Sequence, residues 1–164
     1  MEFDLQPHLS NDLIELKPLH EGDFEKLFAV ASDPLIWEQH PDSLRYTREV
    51  FEKYFAGAVE SKSAFLIYDK ISNDLIGSSR YYDNKPAEHS IAIGWTFLAR
   101  SHWGNTYNKA LKKLMIDYAF NYVDTIVFHV GSNNMRSRKA VEKLGAILLS
   151  EIDGTVTYEL AKKL

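Results

Sequence analysis

Apolar residues recur along this chain with two different periods, and the period decides which secondary structure each stretch is predicted to form. Alternating or short continuous apolar runs are typical of strands, and they cover residues 13–19, 64–68, 75–82, 89–98, 125–130, 146–152 and 155–160. Helical spacing of apolar residues covers residues 24–31, 47–58, 107–119 and 135–144. Gly94 interrupts the longest predicted strand, and such a glycine often marks a bulge or a close approach of the backbone.

The order of these elements predicts the fold class. One strand precedes two helices, three strands follow in hairpins, and the rest of the chain runs helix, strand, helix, hairpin. This order predicts a mixed α/β (α+β) fold, with a mostly antiparallel central sheet of about six or seven strands flanked by about four helices. The length of 164 residues fits a single domain, in which residues 1–12 form a loose lead-in.

The composition narrows the class of function. The net charge is −4, and nucleic-acid binding needs a basic face, so no nucleic-acid partner is expected. The absence of cysteine excludes disulfides, thiolate metal ligands and a cysteine nucleophile. The six histidines are scattered without a close pair, so no metal site is predicted. Since neither an apolar run of about 18 residues nor a signal peptide is present, we expect a cytoplasmic protein without a membrane partner.

The stretch from Trp103 to Asn108 is the first that carries chemistry. It reads WGNTYN and lies between a predicted strand and a predicted helix. The first turn of a helix exposes unpaired N–H groups and the positive end of the helix dipole, which together suit a diphosphate. Gly104 would let the backbone approach such a ligand closely, and Arg100 and Lys109 add positive charge. Because many strand-to-helix loops contain one glycine, the motif needs support from elsewhere in the chain.

Two longer stretches, the first of which includes this motif, supply that support, because they resemble signatures of the GNAT superfamily of acetyltransferases. Residues 94–108 read GWTFLARSHWGNTYN, with DYAF at 117–120. They resemble the acetyl-CoA motif, most closely in the branch of ribosomal-protein N-terminal acetyltransferases, which typically shows W-G-K-G-Y-A. Residues 134–146 read NMRSRKAVEKLGA and resemble the second signature of the family. A softer likeness covers residues 13–41, so the resemblance runs from residue 13 to the C-terminus.

The resemblance implies a GNAT-like fold that transfers the acetyl group of acetyl-CoA, a cosubstrate, directly to a primary amine. It assigns cofactor binding to Trp95, Thr96, Phe97 and Leu98 along the pantetheine arm, to Trp103, Gly104, Asn105, Thr106, Tyr107, Asn108 and Lys109 around the pyrophosphate, and to Asn134 and Ser137. Asn134 would hydrogen-bond the pantetheine, while Ser137 would act near the thiol as a general acid or a donor to sulfur. Trp37 and Tyr81 would contact the acceptor, with His40, Tyr46 and Tyr82 in the bordering segments.

The chain departs from the family pattern at three positions. The second glycine of the loop is Thr106 here, the small residue that follows is Asn108, and the carboxylate often found before the Gly-Trp step is Ala92. These departures keep an alternative open, a catalytically weak or inactive module of the same fold that binds CoA or a protein partner.

The missing carboxylate leaves the general base open, although the attacking amine must lose its proton. His89 is predicted as a catalytic residue together with Asn134 and Ser137, and Glu88, His129 and a water relay are alternatives. The alternatives without a ligand are that His129 is a core histidine, Asn134 a helix cap and Ser137 a helix-surface serine.

The basic residues of the last two helices are interpreted as a solvated face, from which some would reach the 3′-phosphate of CoA. They are Lys109, Lys112, Lys113, Arg136, Arg138, Lys139 and Lys143. The acceptor stays open among a protein N-terminus, a polyamine-like compound, an amino sugar and an amino acid. The chain is expected to be a monomer or a homodimer.

Overall fold

Eight strands and four α-helices make up the described part of this computed structural model, which is residues 2–163 without the side chain of residue 105. The strands are β1 (Leu9–Ser10), β2 (Ile14–Pro18), β3 (Ala64–Asp69), β4 (Leu75–Lys85), β5 (Ser90–Leu98), β6 (Thr125–Gly131), β7 (Ile147–Ile152) and β8 (Thr155–Ala161). The helices are α1 (Phe24–Ala31), α2 (Arg48–Ser61), α3 (Asn105–Ala119) and α4 (Met135–Lys143). None of the helices within residues 2–163 is long and apolar enough to cross a membrane.

The strands form one sheet in the order β1-β2-β3-β4-β5-β6-β8-β7. Neighbouring strands are antiparallel except β5 and β6, which run parallel because α3 carries the chain back to the same end of the sheet. The predicted mixed fold and mostly antiparallel sheet are thus confirmed. The sheet has eight strands rather than six or seven, because Leu9 and Ser10 pair with β2 as a short edge strand.

The segment before β2 is packed on the molecule rather than loose. The ring of Phe3 stacks on Tyr122 with 4.5 Å between centroids, and it meets Tyr81 edge-on at 5.9 Å. The hydroxyl of Tyr118 donates to the carbonyl of Asp4 at 2.6 Å. Periodicity missed this segment because a few unevenly spaced side chains are enough to anchor a chain end to a core that already exists.

Two hydrophobic cores cover the two faces of the sheet. Successive side chains of a strand point to opposite faces, so in β3 Phe65 and Ile67 join the core that packs on α3, whereas Leu66 joins the core that packs on α1 and α2. The helices therefore hold the sheet from both sides. This double support keeps β5 and β6 in place at the point where they separate.

Candidate active site

A cleft opens where β5 and β6 part. Their parallel ladder joins residues 90–92 to residues 125–127 and goes no further, although β5 continues to Leu98 and β6 to Gly131. The parted ends, residues 93–98 and 128–131, form two walls of a cleft of about 450 Å³. On their outer sides these ends still pair with β4 and β8. The backbone groups on the inner sides are therefore available to an extended ligand arm, which could pair with them as an added strand would.

A β-bulge shapes the β5 wall, as Gly94 in this strand predicts. The register shifts between Ser78 and Arg80, so that one residue of β4 faces two residues of β5. Trp95 takes up the distortion with a φ of 55°, and the hydroxyl of Tyr54 donates to the Trp95 carbonyl. A bulge re-aims the side chains beside it. Here Trp95 is 40% exposed in the wall of the cleft.

The start of α3 forms another part of the wall. Gly104 is the N-cap residue with a φ of 114°, a conformation that favours glycine. It offers no side chain to cap the helix, so the N–H groups of the first turn can serve an anion. The neighbouring Trp103 donates from Nε1 to the carbonyl of Leu98 at 2.9 Å, and the guanidinium of Arg136 lies 3.6 Å from the centroid of its ring. This stack ties the loop to both β5 and α4.

The start of α4 faces the cleft from the β6 side. The Oδ1 atom of Asn134 accepts from the N–H of Ser137 at 3.4 Å, and the N–H of Asn134 donates to the carbonyl of Gly131 at 2.9 Å. Asn134 is therefore a helix cap. Its buried side chain and the half-buried Ser137 also line the cleft, so the cap orients an amide at the place where a ligand would lie.

The cleft wall is cationic, although the whole chain carries a net charge of −4. Its basic residues are Lys112, Arg136, Lys139 and Lys143, and no aspartate or glutamate of the described residues lines it. The interpretation of these side chains as one solvated face is thus wrong in part. The solvated-face interpretation holds for Lys113, which is exposed and pairs with Asp117. Lys112 and Lys113 differ because the winding of a helix turns neighbouring residues to different sides.

Lys112 is the clearest correction. Its residue is only 7% exposed, and Nζ donates to the Thr96 hydroxyl at 2.9 Å. That hydroxyl lies 2.8 Å from the hydroxyl of Ser79. Burial lowers the pKa of the Lys112 ammonium to about 8. A signal was present in the sequence, because Lys112 follows Asn108 by one helical turn beside the buried Leu111 and therefore shares a face with the loop motif.

One of the proposed bases lies at the cleft. His129 is part of the wall, with Nδ1 at 3.2 Å from the Thr157 hydroxyl and Nε2 at 4.0 Å from the nearer carboxylate oxygen of Asp83. His89 and Glu88 instead occupy the exposed turn before β5, at the end of the strand remote from the cleft. The sequence held a signal against Glu88 and His89, because they stand at the start of the strand whose other end was predicted to hold the pantetheine arm, and a strand rises about 3.3 Å per residue.

The cleft brings together most of the predicted cofactor-binding residues, namely Trp95, Thr96, Phe97, Leu98, Trp103, Gly104, Asn108, Asn134 and Ser137. The side chains of Thr106 and Lys109 are exposed, and the hydroxyl of Tyr107 donates to Asp69 at 3.0 Å. None of these three belongs to the cleft wall. The predicted side chain of Asn105 lies outside the described residues.

The two predicted acceptor-binding residues also lie away from the cleft wall. Tyr81 is fully buried and donates from its hydroxyl to the carbonyl of Met115 at 2.6 Å, because strand alternation turns it to the α3 face of the sheet. Trp37 is buried as well and donates from Nε1 to the carbonyl of Ala31 at 2.9 Å. Its ring lies 5.6 Å from that of His40, which does line the cleft, so Trp37 supports the wall from behind.

Parted strands beside a bulge, next to a helix with a glycine at its N-terminus, form a cleft that suits a ligand with an extended arm and a diphosphate. Residues 14–147 match the family described as acetyltransferase (GNAT) domain. The chain therefore belongs to the GNAT family of acetyltransferases, whose chemistry is acyl transfer from acetyl-CoA. No curated protein is similar enough to match the sequence.

Solved structures share the fold at low sequence identity. A GCN5-related N-acetyltransferase from Brucella melitensis is 20% identical, with a TM-score of 0.79 over 95% of this chain and 79% of that chain. Mycobacterium smegmatis RimJ in complex with CoA-disulfide is 16% identical, with a TM-score of 0.69 over 94% and 86% of the two chains. Spermidine N-acetyltransferase from Vibrio cholerae in complex with CoA and spermine is 18% identical, with a TM-score of 0.68 over 92% and 96%. At these identities the likeness shows the fold alone.

Proposed function

We propose that this protein transfers the acetyl group of acetyl-CoA to a primary amine while both substrates are bound. The observation that carries the proposal is the cleft itself, in which an unpaired strand edge, the open N-terminus of α3 and a set of cations converge. Acetyl-CoA fits this set of groups. Its diphosphate and 3′-phosphate match the cations and the helix N-terminus, and its pantetheine amides match the edge of β5.

Two of the departures from the family pattern bear on this fit. Thr106 is exposed and lies outside the cleft wall, so its side chain leaves the cleft open. Asn108 does line the cleft, where its amide can hydrogen-bond a ligand. These two departures therefore do not argue against acetyl-CoA binding, and thiol release distinguishes the catalytic function from the inactive module.

In the proposed reaction, the amine nitrogen attacks the thioester carbonyl carbon. The new N–C bond forms as the C–S bond breaks, and the amine proton passes to a base while the thiolate accepts a proton or a hydrogen bond. Backbone N–H groups in the segment from Trp95 to Leu98 would stabilise the oxyanion. Ser137 would serve the leaving sulfur. His129 would act as the base, directly or through a water, because it is the one of the predicted bases that lines the cleft.

Thermal unfolding with acetyl-CoA, CoA or ATP tests the first half of the proposal. Ligand at 100 times its Kd should raise the unfolding temperature by about 5–10 °C, for acetyl-CoA and CoA but not for ATP. Release of free thiol from acetyl-CoA in the presence of an amine tests the second half. Stabilisation without thiol release for any amine would favour the inactive CoA-binding module, and no stabilisation would reject the cofactor.

A further inference from the structure

Two arginines lie at the bulge of β5, beside the cleft. The guanidinium carbon of Arg80 is 4.2 Å from the centroid of the Trp95 ring, and that of Arg45 is 5.1 Å from the same centroid. Arg45 also places Nη1 at 3.3 Å from Nε2 of His40. Trp95 and His40 both line the cleft, so this arginine pair, Arg45 and Arg80, stands directly behind the wall at the bulge.

Aromatic rings rather than carboxylates surround the arginine pair, since both guanidinium groups lie over Tyr54 and Trp95. Arg80 is 5% exposed, its Nη2 donates to the carbonyl of Tyr54 at 3.3 Å, and it takes part in none of the ion pairs within residues 2–163. Arg45 pairs with Asp42 at 3.4 Å, but the side chain of Asp42 is 47% exposed and largely in solvent. Buried charges in proteins are usually paired. A cationic region of this kind next to an open cleft therefore indicates that an anion completes it.

His40 gives independent support for an anion at this place. The N–H of Asp42 donates to Nδ1 of His40 at 3.0 Å, while Arg45 directs Nη1 at Nε2. A neutral imidazole has one acceptor nitrogen and one N–H, so the ring can accept only one of these two donors. Burial and the charge of Arg45 lower the pKa of His40 to about 4, so the ring is neutral near pH 7. One donor is thus left over at the cleft, and an anionic oxygen that approaches His40 and Arg45 from the cleft side would satisfy it.

Acetyl-CoA does not supply this anion. Its negative charges lie on the diphosphate and the 3′-phosphate, at the nucleotide end of the molecule. The thioester end is uncharged, and in the proposed arrangement it lies at the bulge. The remaining molecule in the ternary complex is the acceptor.

We propose that the acceptor is an amine that also carries an anionic group, a carboxylate or a phosphate. His40 in the cleft wall contacts this group, and the charges of Arg45 and Arg80 behind the wall attract it. The proposal rests on the proposed acetyltransferase function and names its substrate class. Amino acids and phosphorylated amino sugars belong to this class, whereas polyamines are disfavoured, because the arginine pair repels a second ammonium group.

Matched amines test the proposal through thiol release from acetyl-CoA. Phenylalanine is compared with phenethylamine for the carboxylate, and glucosamine 6-phosphate with glucosamine for the phosphate, while spermidine represents polycations. In at least one pair, kcat/KM for the anionic member should exceed that for the neutral member by ~10-fold or more, since hydrogen bonds to charged groups stabilise strongly. The pair that shows the preference identifies the anionic group.

Variants then connect the preference to the arginine pair. Arg45→Gln should lower kcat/KM for the anionic member by ~10-fold and leave kcat/KM for the neutral member nearly unchanged. Arg45→Lys keeps the charge but loses the planar fork, so its kcat/KM for the anionic member should lie between those of Arg45→Gln and the unmodified protein. Arg48→Gln is the matched control, because Arg48 is an exposed residue of α2 that pairs with Glu25 at 2.6 Å, and it should keep the preference.

Preference for the neutral members or for spermidine would overturn the proposal. Transfer to neutral amines with none to either anionic member would overturn it too, as would an unchanged preference in Arg45→Gln. Stabilisation by acetyl-CoA is measured on every variant. Failure of the proposed function is distinguished from this failure, because it would appear as no thiol release with any of the five amines or as no stabilisation of the unmodified protein by acetyl-CoA.

Discussion

Replacing Lys112 by methionine should make the ligand-free protein more stable while it weakens acetyl-CoA binding. Methionine keeps an unbranched side chain of similar length, so the packing beside Leu111 is retained, but it removes the buried charge. The ammonium of Lys112 has one hydrogen bond to compensate its burial, from Nζ to the Thr96 hydroxyl at 2.9 Å. After the substitution, this hydroxyl can still bond to Ser79, 2.8 Å away.

The size of the effect follows from the pKa. Burial lowers the pKa of Lys112 from 10.5 to about 8, and at about 1.4 kcal/mol for each pKa unit the charged form costs on the order of 3 kcal/mol. Loss of the hydrogen bond to Thr96 lowers the gain in the free energy of unfolding by about 1 kcal/mol. We therefore expect the variant to gain about 2 kcal/mol near pH 7, which corresponds to a rise of about 4–8 °C in unfolding temperature.

The gain should depend on pH in one direction only. Below pH 8 the lysine is charged in both the folded and the unfolded protein, so the full cost of burial is present. Between pH 8 and 10.5 the folded protein has released this proton and the unfolded protein still holds it, so the stability of the unmodified protein rises with pH. The advantage of the variant should therefore shrink and disappear across this range.

Urea unfolding at pH 7 and at several pH values up to 10 measures the difference in the free energy of unfolding between the two proteins. Saturating acetyl-CoA at pH 7 should stabilise the unmodified protein more than the variant. The reason is that anionic or carbonyl oxygens of the ligand would accept the hydrogen bonds that the Lys112 ammonium lacks. A variant that is less stable at pH 7, or whose advantage does not change with pH, would refute the reasoning that Lys112 is a buried, uncompensated cation.

Substitutions at three further cleft residues, Gly104, Ser137 and His129, test the site. Gly104→Glu should abolish stabilisation by acetyl-CoA, because its side chain adds bulk and negative charge at the phosphate loop. Gly104→Ala imposes the same strain at φ 114° but its Cβ meets no atom within 4 Å, so this variant should retain much of the stabilisation. Equal loss in both variants would remove the charge argument. Ser137→Ala should lower kcat roughly tenfold with little change in KM if the hydroxyl assists the thiolate, and an unchanged kcat would leave it a surface residue. His129→Gln should lower kcat by about 100-fold or more and flatten its pH profile, while His89→Gln, outside the cleft, should behave like the unmodified protein; the opposite ranking would restore His89 as the base.

The local features of the site could be predicted from the sequence. Gly104 before a helix and Asn134 as a helix cap were predicted from local backbone conformation, which neighbouring residues decide. The family resemblance added Ser137, and all three residues line the cleft. The bulge beside Gly94 followed from the same kind of local argument. The order of strands and helices was readable from hydrophobic periodicity, which also limited the fold to a mixed sheet with helices on both faces.

The burial and the neighbours of the remaining site residues were decided only by the tertiary structure. Whether Lys112 faces solvent or the cleft depends on how α3 is rotated against the sheet, and its own helix pattern permits both. Tyr81 was predicted at the acceptor and lies in the core, because the bulge and the pairing of β4 decide which face each strand residue occupies. Arg45 and Arg80 come from a loop and a strand far apart in the chain, and they meet at Trp95 through folding alone. Sequence by itself thus determined the elements and the loop that suits a diphosphate, while the three-dimensional packing determined the charge around the cleft, because charges interact through space and not along the chain.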